Sequence, residues 1–381
     1  MTGSHPKANV QQIIICGGGV IGACIAYYLS RHPHRADSEI IVVERAGVAN
    51  ASSGKSGGFL ALDWCRGTPV DALARRSFAL HAELATTLGA ELNLEWGYRP
   101  IDTLSVIASE RRDFSRMGKL PTPGWLGETT AVHSRLGDAQ TTAQLDPAAF
   151  TRSMMQAAQA HGVTLREGVV EGVALTDDGQ RITGVQIDGE TAAADAVVIA
   201  MGPWSILAAE WLALPPVYGL KGHSLVFRFE PADPSALFVE VEMEDGEIET
   251  PEVVPRMNGT TYICGLSGTA PLPLDPAAVT LETGASERLR AMATAFSPEL
   301  GAAEVIAEQA CYRPITTDGV PIIGHVPNVA GAYVATGHSV WGMLNGPATG
   351  EAVAELILDG ATTHVDLTPF APERLRNGGA T

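Results

Sequence analysis

Residues 13–22 read IIICGGGVIG, a short β-branched run followed by a glycine-rich turn. The run has the composition of a central strand that is buried on both faces of a parallel sheet. The turn matches the pattern G-x-G-x-x-G, in which the glycines permit a tight turn, close approach of a pyrophosphate and close packing of the next helix. The pattern therefore predicts a strand, a turn and a helix whose N-terminus binds phosphate. The predicted contacts are Gly17, Gly19, Val20, Ile21 and Gly22.

A second apolar run, residues 40–43, ends at Glu44, which Arg45 follows. Glu44 lies about 20 residues beyond the glycine pattern, where an acid that binds a ribose hydroxyl is expected. Strand, turn, helix, strand and acid together predict a dinucleotide site. The next loop, residues 51–58 (ASSGKSGG), has small and hydroxyl side chains that can lie over a large planar ring, although a flexible linker would read similarly. Its candidate contacts are Ser52, Ser53, Lys55, Ser56, Gly57 and Gly58.

The composition of the 381-residue chain excludes several classes of protein. It is 45% apolar and 18% charged, so it can bury a large core and is not intrinsically disordered. Its formal net charge of −18 disfavours binding to nucleic acid or to anionic membrane surfaces. Five cysteines without a CxxC pair suit a reducing compartment. The uncharged run 13–29 is too short and too glycine-rich for a spanning helix and lacks a basic start, so we expect no membrane insertion and a cytoplasmic location.

Four motifs, in the same order, resemble those of the FAD-dependent D-amino-acid oxidase family, which includes glycine, sarcosine and D-amino-acid oxidases and dehydrogenases. The resemblance runs from end to end, and the last motif is most similar to a branch shared by plants and fungi. The motifs are residues 17–22, 196–205 (AVVIAMGPWS), 312–324 (YRPITTDGVPIIG) and 335–350 (ATGHSVWGMLNGPATG).

The resemblance and the alternation of apolar residues imply an α/β fold with two domains. A discontinuous Rossmann-type FAD-binding domain with a parallel sheet is predicted from residues 1–88, 145–214 and 305–381. A substrate domain of the α+β type, built on a mostly antiparallel sheet, is predicted from residues 89–144 and 215–304. The Asn-Gly pair at 258–259 predicts a hairpin turn within it.

The resemblance also implies that FAD is the cofactor and that the final helix points its N-terminus at the flavin pyrimidine edge, where negative charge develops on reduction. A plain loop before a core helix is the alternative. The further contacts that it implies are Val170, Gly202, Trp204, Gly337, His338, Trp341, Gly342, Met343 and Leu344. Cys311 lies where one branch carries a cysteine joined to the flavin by a thioether, so covalent attachment and a small buried side chain are both open.

An amino-acid substrate needs its carboxylate held, which favours a fork-shaped arginine. Arg313 matches the position where D-amino-acid oxidases carry one, with a strand-end salt bridge as the alternative. Arg256 is a second candidate, and Tyr262 offers a hydroxyl or simple packing. His223 begins a strand of the substrate domain and either faces the flavin or serves as a structural imidazole, as does His338. We assign no general base and no metal site.

Two positions depart from the sarcosine-oxidase pattern. Leu344 stands where that branch has a carboxylate-binding lysine, and residues 266–268 (LSG) stand where it has the lysine that promotes reaction with oxygen; Lys55 and Lys221 are the candidate substitutes.

The leading hypothesis is an FAD-dependent oxidoreductase that oxidises the C–N bond of a small amino acid or secondary amine to an imine, with oxygen or another molecule accepting the electrons. Its expected partner is that small molecule, and the oligomeric state is open. The alternatives are a flavin-binding protein with a regulatory or interaction role and little turnover, and a nicotinamide-dependent dehydrogenase. The latter leaves the motifs at 51–58 and 335–350 unexplained.

Overall fold

The computed structural model describes residues 11–35, 37–114 and 120–375. Its helices are α1 (Val20–Arg31), α2 (Ser52–Lys55), α3 (Asp71–Leu92), α4 (Pro147–Ala160), α5 (Ala285–Phe296), α6 (Pro298–Ala302) and α7 (Gly342–Asp359). Its strands are β1 (Gln12–Cys16), β2 (Glu39–Glu44), β3 (Phe59–Ala61), β4 (Arg99–Pro100), β5 (Thr103–Ala108), β6 (Thr130–Gly137), β7 (Thr142–Gln144), β8 (Thr164–Glu167), β9 (Val170–Leu175), β10 (Ile182–Ile187), β11 (Glu190–Ala193), β12 (Ala196–Ile199), β13 (Tyr218–Phe227), β14 (Ala236–Glu242), β15 (Ile248–Glu249), β16 (Glu252–Pro255), β17 (Thr261–Gly268), β18 (Val305–Ile315), β19 (Ile322–His325) and β20 (Ala332–Thr336).

The first sheet has the strand order β19-β20-β12-β1-β2-β8 and is parallel except at its β19 edge. Ile13, Ile14 and Ile15 of its central strand are fully buried, because packed layers cover both faces of the sheet. The layer that holds α1, α3, α4 and α7 forms one continuous core with this sheet. The predicted Rossmann-type core is confirmed, and the predicted helix after the glycine turn is α1.

The second sheet has the order β18-β13-β17-β16-β14-β5-β6, with β15 paired to β14. All of its pairs are antiparallel except β14 with β5, so the predicted mostly antiparallel sheet is confirmed. One face packs on α5 through Leu225, Phe227, Ile263 and Phe296. The predicted hairpin joins β16 to β17, and Gly259 adopts a φ of +78° in its turn.

The sheet pairing moves two of the predicted domain boundaries. Residue 305 does not begin a return to the first domain, because Val305–Ile315 pairs with Tyr218–Phe227 and belongs to the antiparallel sheet. Nor does the first insertion begin at residue 89: α3 runs on to Leu92, and Arg99–Pro100 pairs with Thr142–Gln144 in a small sheet of order β3-β7-β4. Strand pairing between distant segments decides both boundaries, and local apolar patterns do not specify it.

A second small sheet, of order β11-β10-β9, packs beside the parallel sheet. Within the described residues, no helix combines the length and the apolar character that crossing a membrane requires.

Candidate functional site

One cavity runs from the glycine turn after β1 to the underside of the antiparallel sheet. The predicted residues that line it are Gly17, Gly19, Val20, Ile21, Glu44, Arg45, Ser52, Ser53, Ser56, Gly57, Val170, Gly202, Trp204, His223, Tyr262, Cys311, Arg313, His338, Gly342 and Met343. The predicted residues that lie elsewhere in the described chain are Gly22, Lys55, Gly58, Arg256, Gly337, Trp341 and Leu344. The cavity therefore brings most of the predicted cofactor contacts together with predicted substrate contacts.

The turn after β1 is a backbone cradle that leaves no room for side chains. Gly17 adopts a φ of +113°, and a Cβ there would lie 2.5 Å from the carbonyl oxygen of Ala200. A Cβ on Gly22 would lie 1.9 Å from the carbonyl oxygen of Gly17. The two positions therefore require glycine, and Gly22 acts by letting α1 approach the turn although it does not line the cavity.

Glu44 closes this end of the cavity from the tip of β2. Its carboxylate accepts hydrogen bonds from the backbone N–H groups of Gly18 at 2.7 Å and Ala46 at 2.8 Å. A carboxylate has about four acceptor positions, so these two bonds leave capacity for ribose hydroxyls. The Oγ of Ser53 accepts from the N–H of Val20 at 2.9 Å and ties the next loop to the start of α1.

The loop at 51–58 contains the short helix α2 and is anchored to β18 of the antiparallel sheet. The Ser52 hydroxyl donates to the carbonyl of Tyr312 at 2.6 Å, and the Lys55 Nζ donates to the carbonyl of Ala310 at 3.2 Å. Lys55 thus points to β18 rather than into the cavity, which departs from its predicted role. A Cβ on Gly58, at a φ of +80°, would lie 2.0 Å from the carbonyl oxygen of Leu145, so this glycine shapes the loop from outside the cavity.

The N-terminus of α7 faces the other side of the cavity. No side chain caps this end and no acid lies in its first turn, so its N–H groups are available to a ligand with negative charge. Gly342 and Met343 line the cavity. Leu344 is instead fully buried in the core, where its carbonyl contacts the His81 ring at 3.2 Å. Its predicted contact with the cofactor is therefore not made by its side chain.

Three residues just before that helix lie in closely packed surroundings. The ring of His338 is hydrogen-bonded through Nε2 to Thr349 Oγ1 at 3.1 Å, and burial lowers the pKa of His338 to about 3, so the ring is neutral. Trp341 packs edge to face on Trp64, with 6.4 Å between the ring centroids. A Cβ on Gly337, at a φ of +78°, would lie 2.6 Å from the Thr316 methyl group. The structural interpretation of His338 fits this placement.

These features fit FAD on grounds of geometry and chemistry. The glycine cradle would be filled by any Cβ, Glu44 keeps acceptor capacity, and the N-terminus of α7 is uncapped. The Oγ of Ser56 in the cavity wall is buried without a hydrogen-bond partner among the described residues. A buried polar atom without a protein partner is normally satisfied by an ordered water or a bound group.

Arg313 enters the cavity from β18. Its side chain is half-buried, and in the described part of the chain it makes neither a hydrogen bond nor an ion pair. A Cβ on Gly222, in the neighbouring strand, would lie 3.1 Å from Nη2 of Arg313, so the absence of a side chain there gives the guanidinium its space. A cation held in a cavity without a protein partner is suited to an anionic ligand.

Arg256 departs from its predicted role at the substrate. Its Nη2 donates to the carbonyl of Ser56 at 2.8 Å, and its guanidinium lies 5.2 Å from the centroid of the Tyr262 ring. Only 8% of Arg256 is exposed, and it lies behind the cavity wall. It therefore supports the loop and Tyr262, whose ring lines the cavity. Arg256 lies outside the cavity because the hairpin turn begins at this residue. Its N–H donates to the carbonyl of Thr260, and the side chain leaves the sheet there.

His223 contributes to the cavity wall, but its ring faces Glu282. Its Nε2 lies 3.8 Å from Glu282 Oε2, and burial lowers the pKa of His223. Lys221 also turns to Glu282, with 3.6 Å between Nζ and Oε1, and lies over the Tyr312 ring. Neither Lys55 nor Lys221 lines the cavity, so the two candidate substitutes for the lysines of the sarcosine-oxidase pattern lie outside it.

Sequence reasoning missed Glu252, Ser224 and Cys264, which line the cavity beneath the antiparallel sheet. They lie side by side, because Ser224 pairs with Cys264 and Cys264 pairs with Glu252 across three strands. The available signal was an acid at the start of an apolar strand, EVVP, at the end of a generally acidic stretch.

One group of side chains in the described chain has the composition of a metal site. His32, His34 and Asp359 lie at the C-terminal ends of α1 and α7, whereas the cavity lies at the N-terminal ends of these helices. His34 Nδ1 is 2.6 Å and His32 Nε2 is 3.3 Å from the Asp359 carboxylate, so the three groups already pair with one another.

Known proteins share this architecture. The family model "DAO: FAD dependent oxidoreductase" matches residues 12–356. A proposed oxidoreductase of Schizosaccharomyces pombe is 31% identical, over 96% of this chain and 99% of that protein. The glycine oxidase of Geobacillus kaustophilus is 29% identical in sequence alignment, over 95% of this chain and 96% of the relative. By structural alignment, the glycine oxidase crystal structure from that organism has a TM-score of 0.78 at 25% identity, covering 95% of this chain and 98% of that chain.

Proposed function

The chain belongs to the DAO family of FAD-dependent oxidoreductases, as its motifs predicted, and on this premise we propose that it oxidises the C–N bond of a small amino acid or secondary amine. The substrate carbon loses a hydride, the C–N bond becomes an imine, and water then hydrolyses the imine. Oxygen or another molecule accepts the electrons. The similarity to glycine oxidase supports an amino acid as the substrate class.

One observation carries the proposal: Arg313 lies in the cavity without an ion pair in the described part of the chain. A planar guanidinium binds a carboxylate through two parallel hydrogen bonds, which fixes the orientation of the ligand as well as its position. An amino acid held in this way presents its α-carbon in one direction only. Arg313 is therefore proposed to bind the substrate carboxylate.

The rest of the cavity suits the cofactor. The N-terminus of α1 and the glycine turn would hold the pyrophosphate, Glu44 the ribose, and the N-terminus of α7 the pyrimidine edge. When bound, FAD supplies the hydride acceptor. Tyr262 and Cys311 contribute to the wall beneath the antiparallel sheet, and burial raises the pKa of both side chains, which keeps them protonated near neutral pH.

A flavoprotein with only a regulatory role is less well supported. Such a protein needs a place for the cofactor, but it has no need of an unpaired arginine beside that place. The cavity instead combines a cofactor cradle with a carboxylate-type ligand site, which is the arrangement that catalysis requires.

The test is a screen of the purified holoprotein under anaerobic conditions. Glycine, sarcosine, both enantiomers of alanine and proline, and simple secondary amines are added in turn, and the visible absorbance of the flavin is followed. We expect at least one of them to bleach the flavin within minutes, and peroxide measured after admission of air then separates an oxidase from a dehydrogenase. Bleaching by dithionite but by none of these amines would contradict the proposal.

A further inference from the structure

The cavity contains the carboxylate of Glu252, which has no role in the oxidation of the C–N bond as proposed. Glu252 begins β16 and lies half-buried in the wall beneath the antiparallel sheet. No cation forms an ion pair with it within the described ranges of the chain. Among the described residues its one polar contact is the Cys264 thiol, whose Sγ lies 3.9 Å from Oε2. A thiol is a weak donor, so this contact satisfies little of a carboxylate's hydrogen-bonding capacity.

Such a placement is costly unless a ligand uses it. Withdrawing a carboxylate from water without a partner is unfavourable, and buried acids are normally paired or bound to a ligand. Arg313 of β18 attracts Glu252 electrostatically but does not form an ion pair with it. The cavity wall thus presents a positive group and a negative group that are separated from each other.

The charged and titratable groups around Glu252 define its environment. Cys264 of β17 contacts it, and Arg313 of β18 acts on it through its charge alone. Tyr262 and Cys311 lie beyond Cys264, and Lys55 of α2 acts on Cys311. Apart from Arg313 and the more distant Lys55, these groups are neutral at pH 7, because burial raises the pKa of each of them.

We propose that Glu252 binds the ammonium group of the substrate and accepts one proton from it, while Arg313 holds the carboxylate. The proposal rests on the proposed function. In this step one N–H bond of the ammonium breaks and one O–H bond forms on Glu252. The electron pair stays on nitrogen, so the amine becomes neutral before the hydride leaves the neighbouring carbon.

The environment of Glu252 suits both tasks. Burial raises the pKa of Glu252, which makes it a better proton acceptor than an exposed carboxylate, and Arg313 opposes this shift and favours the ionised form. A carboxylic acid ligand that lacks an amine would leave Glu252 buried and unpaired. The carboxylate of Glu252 would also repel the carboxylate of that ligand. The pair of charges therefore selects dipolar amino acids over simple carboxylic acids.

The selectivity can be measured with matched pairs of ligands that differ only in the amine. The pairs are glycine with acetate, L- and D-alanine with propionate, and L-proline with cyclopentanecarboxylate. Half-saturating concentrations for the holoenzyme come from the rate of anaerobic bleaching where it occurs, and from perturbation of the flavin spectrum where it does not. In at least one pair we expect the amino acid to bind about tenfold more tightly or better. Glu252→Gln should remove this preference and bind the amine-free acid equally or more tightly.

Two variants guard against a trivial result. Glu252→Asp keeps the charge and should keep the preference if its FAD content is normal. Glu240→Gln makes the same charge change on β14, outside the cavity and paired with Arg112 at 2.8 Å, and should also keep it. In the wild type the bleaching rate should fall as pH drops through the titration of Glu252. This acidic limb of the pH profile should be absent in Glu252→Gln.

The outcomes separate the two proposals. If no amine bleaches the flavin but Glu252→Gln still abolishes a preference for the amine-bearing ligand, the proposed function fails and the ammonium site stands. If bleaching occurs and Glu252→Gln retains both the preference and the acidic limb, only the ammonium site is overturned. Absence of any preference in every wild-type pair also overturns it.

Discussion

The two ends of the cavity are built from different parts of the polypeptide. At the cofactor end, the backbone of Gly17–Gly22 and the tip of β2 make the site within one strand-helix-strand unit. At the substrate end, side chains from β13, β16, β17 and β18 meet under a sheet, and the chain between them spans nearly a hundred residues. A site made of backbone requires the absence of side chains, whereas a site made of side chains depends on which strands are neighbours. Substitutions should therefore act in different ways at the two ends.

The largest effect is expected where a single methyl group enters the backbone cradle. Gly22→Ala would place a Cβ 1.9 Å from the carbonyl oxygen of Gly17, so either α1 or the turn must move. We expect a loss of unfolding free energy of about 3 kcal/mol or more and loss of most bound FAD. Chemical denaturation and the visible absorbance of the purified protein measure the two effects.

Gly89→Ala is the matched control, because Gly89 is also helical but its added Cβ would meet nothing closer than 3.8 Å. Alanine there should be neutral or stabilise the protein by about 0.5–1 kcal/mol. If both variants bind FAD normally, FAD binding does not depend on the absence of side chains in the glycine turn.

At the substrate end, the largest effect should follow from removing the unpaired guanidinium. Arg313→Ala should lower kcat/KM for the best amino acid in the screen by about a hundredfold or more, since it removes a charge-assisted contact to the carboxylate. FAD content and stability should change little, in contrast to Gly22→Ala. Steady-state kinetics and absorbance measure these quantities.

Arg290→Lys serves as a control on the opposite face of the same sheet, where Arg290 lies over Phe227 and bonds to the carbonyl of Gly301. It should leave kcat/KM within about twofold of the wild type. Equal losses in Arg290→Lys and Arg313→Ala would mean that the effect comes from the sheet and not from the substrate site.

The same contrast explains what the sequence could reveal. Gly17, Gly22 and Glu44 lie in one local unit, so their spacing alone predicts a strand, a turn, a helix and a dinucleotide site. Glu252 reaches the cavity only because it pairs with Cys264, which pairs with Ser224 in turn. The register across these strands depends on which face packs on α5, and this is not a local property of the chain.

Arg256 also shows that the local sequence does not reveal which residues line the cavity. It lies four residues after Glu252, yet its side chain leaves the cavity, because β16 ends at Pro255 and a turn follows. With a spacing of four residues, Glu252 and Arg256 would share one face of an unbroken strand. Only the position of the turn separates a residue that lines the cavity from one that supports the wall.

A smaller effect is therefore expected from Arg256. Arg256→Lys loses the planar stacking on Tyr262 and weakens the contact with the carbonyl of Ser56. We expect unfolding free energy to fall by about 1–2 kcal/mol and FAD to bind more weakly, with little change in kcat for the protein saturated with FAD. A loss of kcat comparable to that of Arg313→Ala, at full FAD occupancy, would show that Arg256 acts at the substrate site after all.

The smallest effect should come from Cys311, which lies where the two regions meet. Its thiol lines the cavity, and burial raises its pKa against the opposing influence of Arg313 and Lys55, so the thiol form prevails near neutral pH. Because the thiolate is the nucleophile, we expect no thioether to FAD. Acid precipitation of the holoprotein should leave all yellow colour in the supernatant, and Cys311→Ser should keep kcat/KM within about twofold of the wild type. A washed precipitate that stays yellow in the wild type but not in Cys311→Ser would show that FAD is joined covalently to Cys311.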